Sequence, residues 1–142
     1  MPFEVNENQE NNIEIIVEEF FPAIQLSDFK ETYSIPSDLQ EKMLVRFLKM
    51  AAFKVCRELD EFKNSLIAEN KIFPVIKEDF YIQAVCCFAK AYVLKETQSI
   101  ARRDVAENLA KTSEETEDKY NELAFEALNL ILEDDDVTIG LC

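Results

Sequence analysis

The sequence predicts an all-α protein. It reads as a bundle of about three long helices plus a short N-terminal helix, with an extended N-terminal arm and a strand-like C-terminal tail. Three observations carry that reading. Apolar residues recur every three or four positions over three long stretches, the period of a helix face. The chain holds a single glycine, Gly140, in 142 residues, whereas an all-β fold needs glycine at hairpins and bulges. Two of the three stretches follow start signals of the capping-box kind. An apolar content of 48% supplies a core and argues against global disorder. The expected organisation is a flexible or extended arm over 1–26, a helical domain over 27–132 and a tail over 133–142.

Residues 1–12 are rich in glutamate and asparagine. Residues 13–26, IEIIVEEFFPAIQL, are apolar but interrupted by Pro22, and predict an extended arm or short strand. Ser27 is placed to cap a short helix through Tyr33, which ends before Ile35-Pro36 because the residue preceding proline prefers extended backbone. Ser37-Asp-Leu-Gln40 has the capping-box form. Behind it, Leu39, Met43, Phe47, Met50, Ala51, Val55, Leu59, Phe62 and Leu66 make one apolar stripe, predicting a helix over 38–69 that stops at a left-handed Asn70. Phe80, Tyr81, Ala84, Val85, Phe88, Ala91, Tyr92 and Leu94 predict a helix over 78–97, apolar around more than half its circumference and therefore central. Its small residues Ala84, Ala89 and Ala91 allow close neighbours. Asp104 with Glu107 signals a third start. Val105, Leu109, Tyr120, Leu123, Ala127 and Ile131 carry that helix to 132, with a polar middle from Lys111 to Lys119. The acids Glu133 to Asp136 oppose its continuation at the negative end of the helix dipole. Val137-Thr-Ile-Gly-Leu141 then alternates with a strand period.

Net charge is −14, from 15 basic and 29 acidic residues. Residues 1–36 hold eight acids and one base, 37–97 nine acids and ten bases, and 98–142 twelve acids and four bases. Such a chain is repelled by nucleic-acid backbones. The N-terminal MPFEVNENQENN predicts no secretory signal, and no run approaches the ~20 apolar residues of a membrane span.

Nothing in the sequence assembles a catalytic constellation. There is no histidine, no glycine-rich phosphate loop, and no nucleophile with an activating partner. Cys56, Cys86, Cys87 and Cys142 form no CxxC pair, so zinc is not expected and the thiols read as small apolar side chains of a reducing compartment. The Glu133 to Asp136 run lacks the alternation and central glycine of an EF-hand. The reading is therefore no enzyme, no cofactor and no metal. Two apolar stretches lie outside the helical stripes, the arm 13–26 and the tail 137–142, and apolar termini of this kind mark interfaces. For the arm, packing over its own helices is an equal alternative.

The chain order also resembles a known family. Phe20-Phe21-Pro22-Ala-Ile24 is followed by a segment ending at Ile35-Pro36. A long helix then contains Ala51 and Glu58-Leu59-Asp60-Glu61-Phe62-Lys63. After it come Tyr81-Ile-Gln-Ala84-Val85 and Ala89-Lys90-Ala91-Tyr92-Val-Leu94, then a long acidic helix and an apolar end. This resembles the head completion protein (gene L type) of contractile-tailed temperate phages, and is similar to the helical head–tail connector proteins. The resemblance implies a structural protein of the virion neck, assembled in the host cytoplasm. It implies a ring of about twelve copies beneath the portal protein, closed by a heterologous interface. The ring would extend the DNA channel, retain the genome and seat a tail-completion or tail-terminator protein. Genomic DNA would pass without specific binding, and no membrane is involved. On that basis Val137, Thr138, Ile139, Gly140 and Leu141 are candidates for adding a strand to the portal. Phe20, Phe21, Pro22, Ile24, Arg102 and Arg103 are candidates for the subunit interface. The alternative is an acidic DNA mimic or a helical module that occupies a DNA-binding protein. The near-neutral middle of the chain counts against it.

Overall fold

The computed structural model describes residues 13–104 and 116–133, with side chains up to Thr97 and from Thr116 onward. The described elements are helical apart from one small hairpin, so the all-α expectation holds. In chain order they are β1 (Glu14–Ile15), β2 (Ile24–Gln25), α1 (Leu26–Thr32), α2 (Glu41–Glu58), α3 (Asp60–Ala68), a 3-10 turn (Val75–Lys77), α4 (Glu78–Asp104) and α5 (Glu117–Leu132).

Central in this arrangement is α4, as its composition predicts. Ala84 to Ala91 are all buried, with Tyr81 and Val93 at the two ends of the run. Eight successive residues cover every direction around a 3.6-residue turn, so the helix must be enclosed on all sides. Its main neighbours are α5 and α2. From α5 come Ala124, Ala127, Leu128 and Ile131, the two alanines permitting close approach. From α2 come Leu44, Leu48, Ala51, Ala52, Val55 and Cys56. Burying a leucine such as Leu44 or Leu48 contributes about 1.5–3 kcal/mol.

This inward face differs from the predicted stripe in the first half of α2. Met43 and Phe47 are half-buried, and Met50 is 46% exposed. The sequence between 43 and 50 is apolar over too wide an arc for periodicity alone to select the inward residues. The position of α4 selects Leu44 and Leu48. Phe47 is left at the margin, its ring 5.7 Å from that of Tyr92.

Several predicted boundaries are corrected. Helix α1 begins at Leu26 with Gln25 as its N-cap, so Ser27 lies inside the first turn and does not cap it. Ser37 is not a cap either, and α2 starts behind Gln40. A turn in which Leu39 N–H donates to the Pro36 carbonyl (3.3 Å) occupies the intervening residues. Lys30 of α1 pairs with Glu41, the first residue of α2 (2.7 Å). The single helix expected over 38–69 is two. Leu59, at φ −101° and ψ 14°, leaves helical geometry between α2 and α3. Its side chain is fully buried, and α3 departs from the junction with no fully buried residue of its own.

At the far end of the chain, α4 runs to Asp104 rather than 97. Thr97 bonds back to the carbonyls of Val93 (3.0 Å) and Leu94 (3.2 Å) as a mid-helix residue, and no glycine or proline follows it to stop the helix. The third long helix was expected from 104. Asp104 belongs to α4, residues 105–115 of the expected helix lie outside those described, and the described part is α5 from Glu117. Thr116 is its N-cap, its Oγ1 accepting from Lys119 N–H (3.1 Å). The last described residue, Glu133, is extended.

The stop at Asn70 is as predicted. Asn70 has φ 59°, its N–H donates to Ile67 (2.9 Å), and Lys71 N–H reaches Leu66 (2.8 Å). That is the paired hydrogen bonding of a Schellman motif, which needs a left-handed residue. Ser34, φ 53°, plays the same part after α1, with Ile35 N–H reaching Lys30 (3.2 Å). We predict that Asn70→Gly leaves stability within about 0.5 kcal/mol, whereas Asn70→Val loses about 1–2 kcal/mol, read from urea midpoints.

Candidate functional site: a docked arm and two charged helix faces

The arm is built into the chain's own core. β1 and β2 pair antiparallel with Ile15 opposite Ile24 and Glu14 opposite Gln25. Leu26 N–H closes the hairpin on the Ile13 carbonyl (2.8 Å). Ile15, Phe21, Ile24 and Leu26 are all buried. Between the strands, Phe21 N–H bonds to the Glu18 carbonyl (3.1 Å), forming a tight turn that turns Phe21 inward.

Phe21 then stacks on Tyr81 of α4, with ring centroids 5.1 Å apart and planes within 5°. Phe73 meets Phe21 (5.4 Å), Phe20 (6.1 Å), Phe62 of α3 (6.0 Å) and Tyr81 (6.0 Å), mostly edge-on. Such pairs add about 0.5–1.5 kcal/mol each to the burial of their area. A Lys63–Glu18 ion pair (2.7 Å) ties α3 to the same arm. Phe21 and Ile24 therefore have no free side-chain surface for a neighbour. Phe20 and Pro22 are half-buried and keep an outer edge.

Of the other predicted site residues, Arg102 and Arg103 lie in the last turn of α4, but their side chains fall outside those described. Val137 to Leu141 also lie outside the described residues. The structure thus brings Phe20, Phe21, Pro22 and Ile24 together and leaves the rest unplaced.

Sequence reasoning missed two buried lysines. Lys77, 4% exposed, donates to the carbonyls of Ile131 (2.7 Å) and Glu133 (3.0 Å), and its Nζ stands 5.2 Å from the Phe62 ring centroid. Lys90, 3% exposed, donates to the Tyr33 carbonyl (2.8 Å). Each cation thus closes the C-terminal end of a helix, α5 and α1 respectively, where carbonyls lack intrahelical partners and the dipole favours positive charge. The visible signal was a lysine inside an otherwise apolar run from Ala84 to Ala91, Lys90 between Ala89 and Ala91.

The described thiols are unsuited to nucleophilic chemistry. Burial, with smaller contributions from Cys87 and Asp28, pushes Cys86 up to about 12. Burial also raises Cys56 and Cys87, partly offset by contacts with Tyr81 (3.6 Å) and Tyr33 (3.9 Å). Among the described residues no group of three or more histidine, cysteine or acidic side chains is placed to hold a metal. No described helix is long and apolar enough to cross a membrane.

The outward faces carry the remaining character. Along α2, Lys42, Arg46, Lys49, Phe53 and Arg57 are exposed at helical spacing. Two open grooves run beside them, one lined by Met50, Phe53, Lys54 and Tyr92, the other by Ile13, Val45 and Arg46. Lys54 lies across the Phe88 ring (4.2 Å) and reaches towards Phe125 of α5 (5.9 Å). The outer face of α5 presents Asp118, Glu122 and Glu126. The turn between α3 and α4 exposes Ile72, Val75 and Ile76 by more than 70% each.

Comparison with known families bears on the first part of this architecture. The family model for the phage head completion protein (GPL) matches residues 15–72. The match runs from β1 through α1, α2 and α3 to the Asn70 stop, and it is the family that the Phe20-Phe21-Pro22 segment and the helix after it resemble. No curated protein and no solved structure matches the chain. Head completion is a structural task in the virion, and the match supports that coarse role rather than a catalytic one.

Two predictions follow from the packing. Phe21→Ala lowers unfolding stability by about 3–5 kcal/mol, and Phe20→Ala by less, in chemical denaturation. The second concerns pH. An unfolded thiol ionises near 9.0 and folded Cys86 near 12, so above pH 9 the unfolded chain releases its proton first. Stability is therefore unaffected by this group below about pH 8 and falls as pH rises from 9 towards 12. Cys86→Ala reduces that slope, at the cost of a small cavity, in melts compared at pH 7 and 10, and the raised thiols of Cys56 and Cys87 supply what remains.

Proposed function

We propose that the chain is a phage head completion protein that forms a ring beneath the portal once DNA is packaged. In this role it extends the DNA channel, retains the genome and presents the site to which a tail-completion or tail-terminator protein attaches. The observation that carries the reading is the family match across residues 15–72. It covers the hairpin, the two Schellman stops and the basic helix α2.

The physical features agree with a scaffold role. The N-terminal arm is locked by aromatic contacts and an ion pair, and the described thiols are buried. Strong character is confined to outward faces, one basic and one acidic. The apolar turn at Ile72, Val75 and Ile76 is an exposed patch of the kind that partner proteins cover.

In the proposed assembly, Phe20 and Pro22 present their outer edges to the next copy, with Arg102 and Arg103 on the same interface. Val137 to Leu141 add a strand to the portal, using backbone hydrogen bonds for affinity. The DNA-mimic reading requires carboxylates spaced along one continuous face. The exposed basic row on α2 interrupts any such face on the described surface.

The test is completion of purified, DNA-filled heads that lack this protein. Full-length chain should bind the heads and make them competent for tails. A chain truncated after Asp136 should keep its helical circular dichroism and melting temperature and fail to bind. Truncated protein that still completes heads removes the docking role of Val137 to Leu141. Full-length protein that ignores heads removes the neck assignment.

A further inference from the structure

We infer that the basic outer face of α2 in one copy docks on the acidic outer face of α5 in the next, making these helices the two halves of a head-to-tail interface. The inference rests on the ring reading and names the surfaces that would close the ring.

The two faces match in charge. Helix α2 carries five bases, Lys42, Arg46, Lys49, Lys54 and Arg57, against two acids. Helix α5 carries four acids, Glu117, Asp118, Glu122 and Glu126, against one base. The helices have equal and opposite net charge within a chain of net −14. No described residue forms an ion pair with Lys42, Arg46, Lys49 or Arg57, nor with Asp118, Glu122 or Glu126. Both rows thus remain available for a partner.

The faces also match in length and in apolar content. Lys42 to Arg57 and Asp118 to Glu133 each span roughly 22 Å at 1.5 Å per residue. The basic row is interrupted by Met50 and Phe53, 46% and 57% exposed, and the acidic one is flanked by Phe125, 47% exposed. An interface needs apolar contact at its centre with charges around it, and this arrangement offers both. Because the two halves differ, a contact that uses one half of each copy leaves the other half open. The contact then propagates and closes into a ring if the rotation between copies allows.

Duplex DNA is the competing occupant of a basic row. The net charge of −14 opposes duplex and a second copy alike, but a second copy also brings the exposed Phe125 beside its acidic row. Phosphates give Met50 and Phe53 nothing to pack against.

The experiment uses full-length chain with and without isotope label, mixed at low salt, treated with a zero-length carbodiimide coupler and analysed by mass spectrometry and sedimentation velocity. The expected result is coupling between label partners that joins Lys42 or Lys49 to Asp118, Glu122 or Glu126, with association weakening as salt is raised. Arg46→Glu with Lys49→Glu, and separately Glu122→Lys with Glu126→Lys, should each weaken association at least about tenfold, since like charges then face each other. An equimolar mixture of the two variants should restore it, because each then offers the face the other needs. All four positions are exposed, and unchanged circular dichroism and melting temperature check that the variants fold.

Either variant associating as tightly as the parent, or a mixture that fails to recover, overturns the pairing. So does a parent chain that completes heads yet shows no coupling between these rows, an outcome that leaves the neck assignment standing. A parent that couples as expected but ignores heads sinks the neck assignment and keeps the pairing. Labelled duplex bound by the parent and lost by the α2 variant would assign the row to DNA and overturn the inference.

Discussion

The constraint on which the rest of this structure depends is the enclosure of α4. A helix that buries Ala84 to Ala91 without interruption needs cover on every side, and α2 and α5 supply only part of it. The remaining cover comes from α1 and the hairpin. Phe21 stacks on Tyr81, and Tyr33 meets both Cys87 and Lys90. The apolar arm is therefore structural, and its double phenylalanine is explained by the gap it fills. Enclosure also dictates the lysine chemistry. A buried ammonium needs hydrogen-bond acceptors, and the free carbonyls at the ends of α1 and α5 are the acceptors within reach. The cations at Lys77 and Lys90 thus hold two helix ends against the central one.

Once α4 takes the interior, α2 and α5 are each left with one face turned outward. The acidic excess of the chain is not spread evenly over those faces. The bases of the middle segment gather on α2, and the acids of the later segment include the outer row of α5. Net charge alone suggests uniform repulsion between copies, whereas this arrangement gives each copy one basic and one acidic surface. For a protein that matches the phage head completion family over residues 15–72, organised surfaces matter more than any pocket. The described thiols are buried, and the described acids form no metal cluster.

By itself the sequence determined the helical class, the dominance of the 78–97 stretch, the left-handed stop at Asn70 and the termination before Pro36. These depend on local physics: the 3.6-residue period, the steric limits of a residue before proline, and the tolerance of asparagine for positive φ. The family resemblance was also legible, because it rests on the order of such local features. The tertiary structure decided which apolar residues of α2 face inward, the break at Leu59, and the membership of Phe21 and Ile24 in the core rather than on a neighbour's surface. It also decided that Lys77 and Lys90 are buried. Each of these turns on a contact between residues far apart in the chain, such as Phe21 with Tyr81 or Lys77 with Ile131. The energy of such a contact exists only when both partners are in place, and so leaves no periodic trace in either segment.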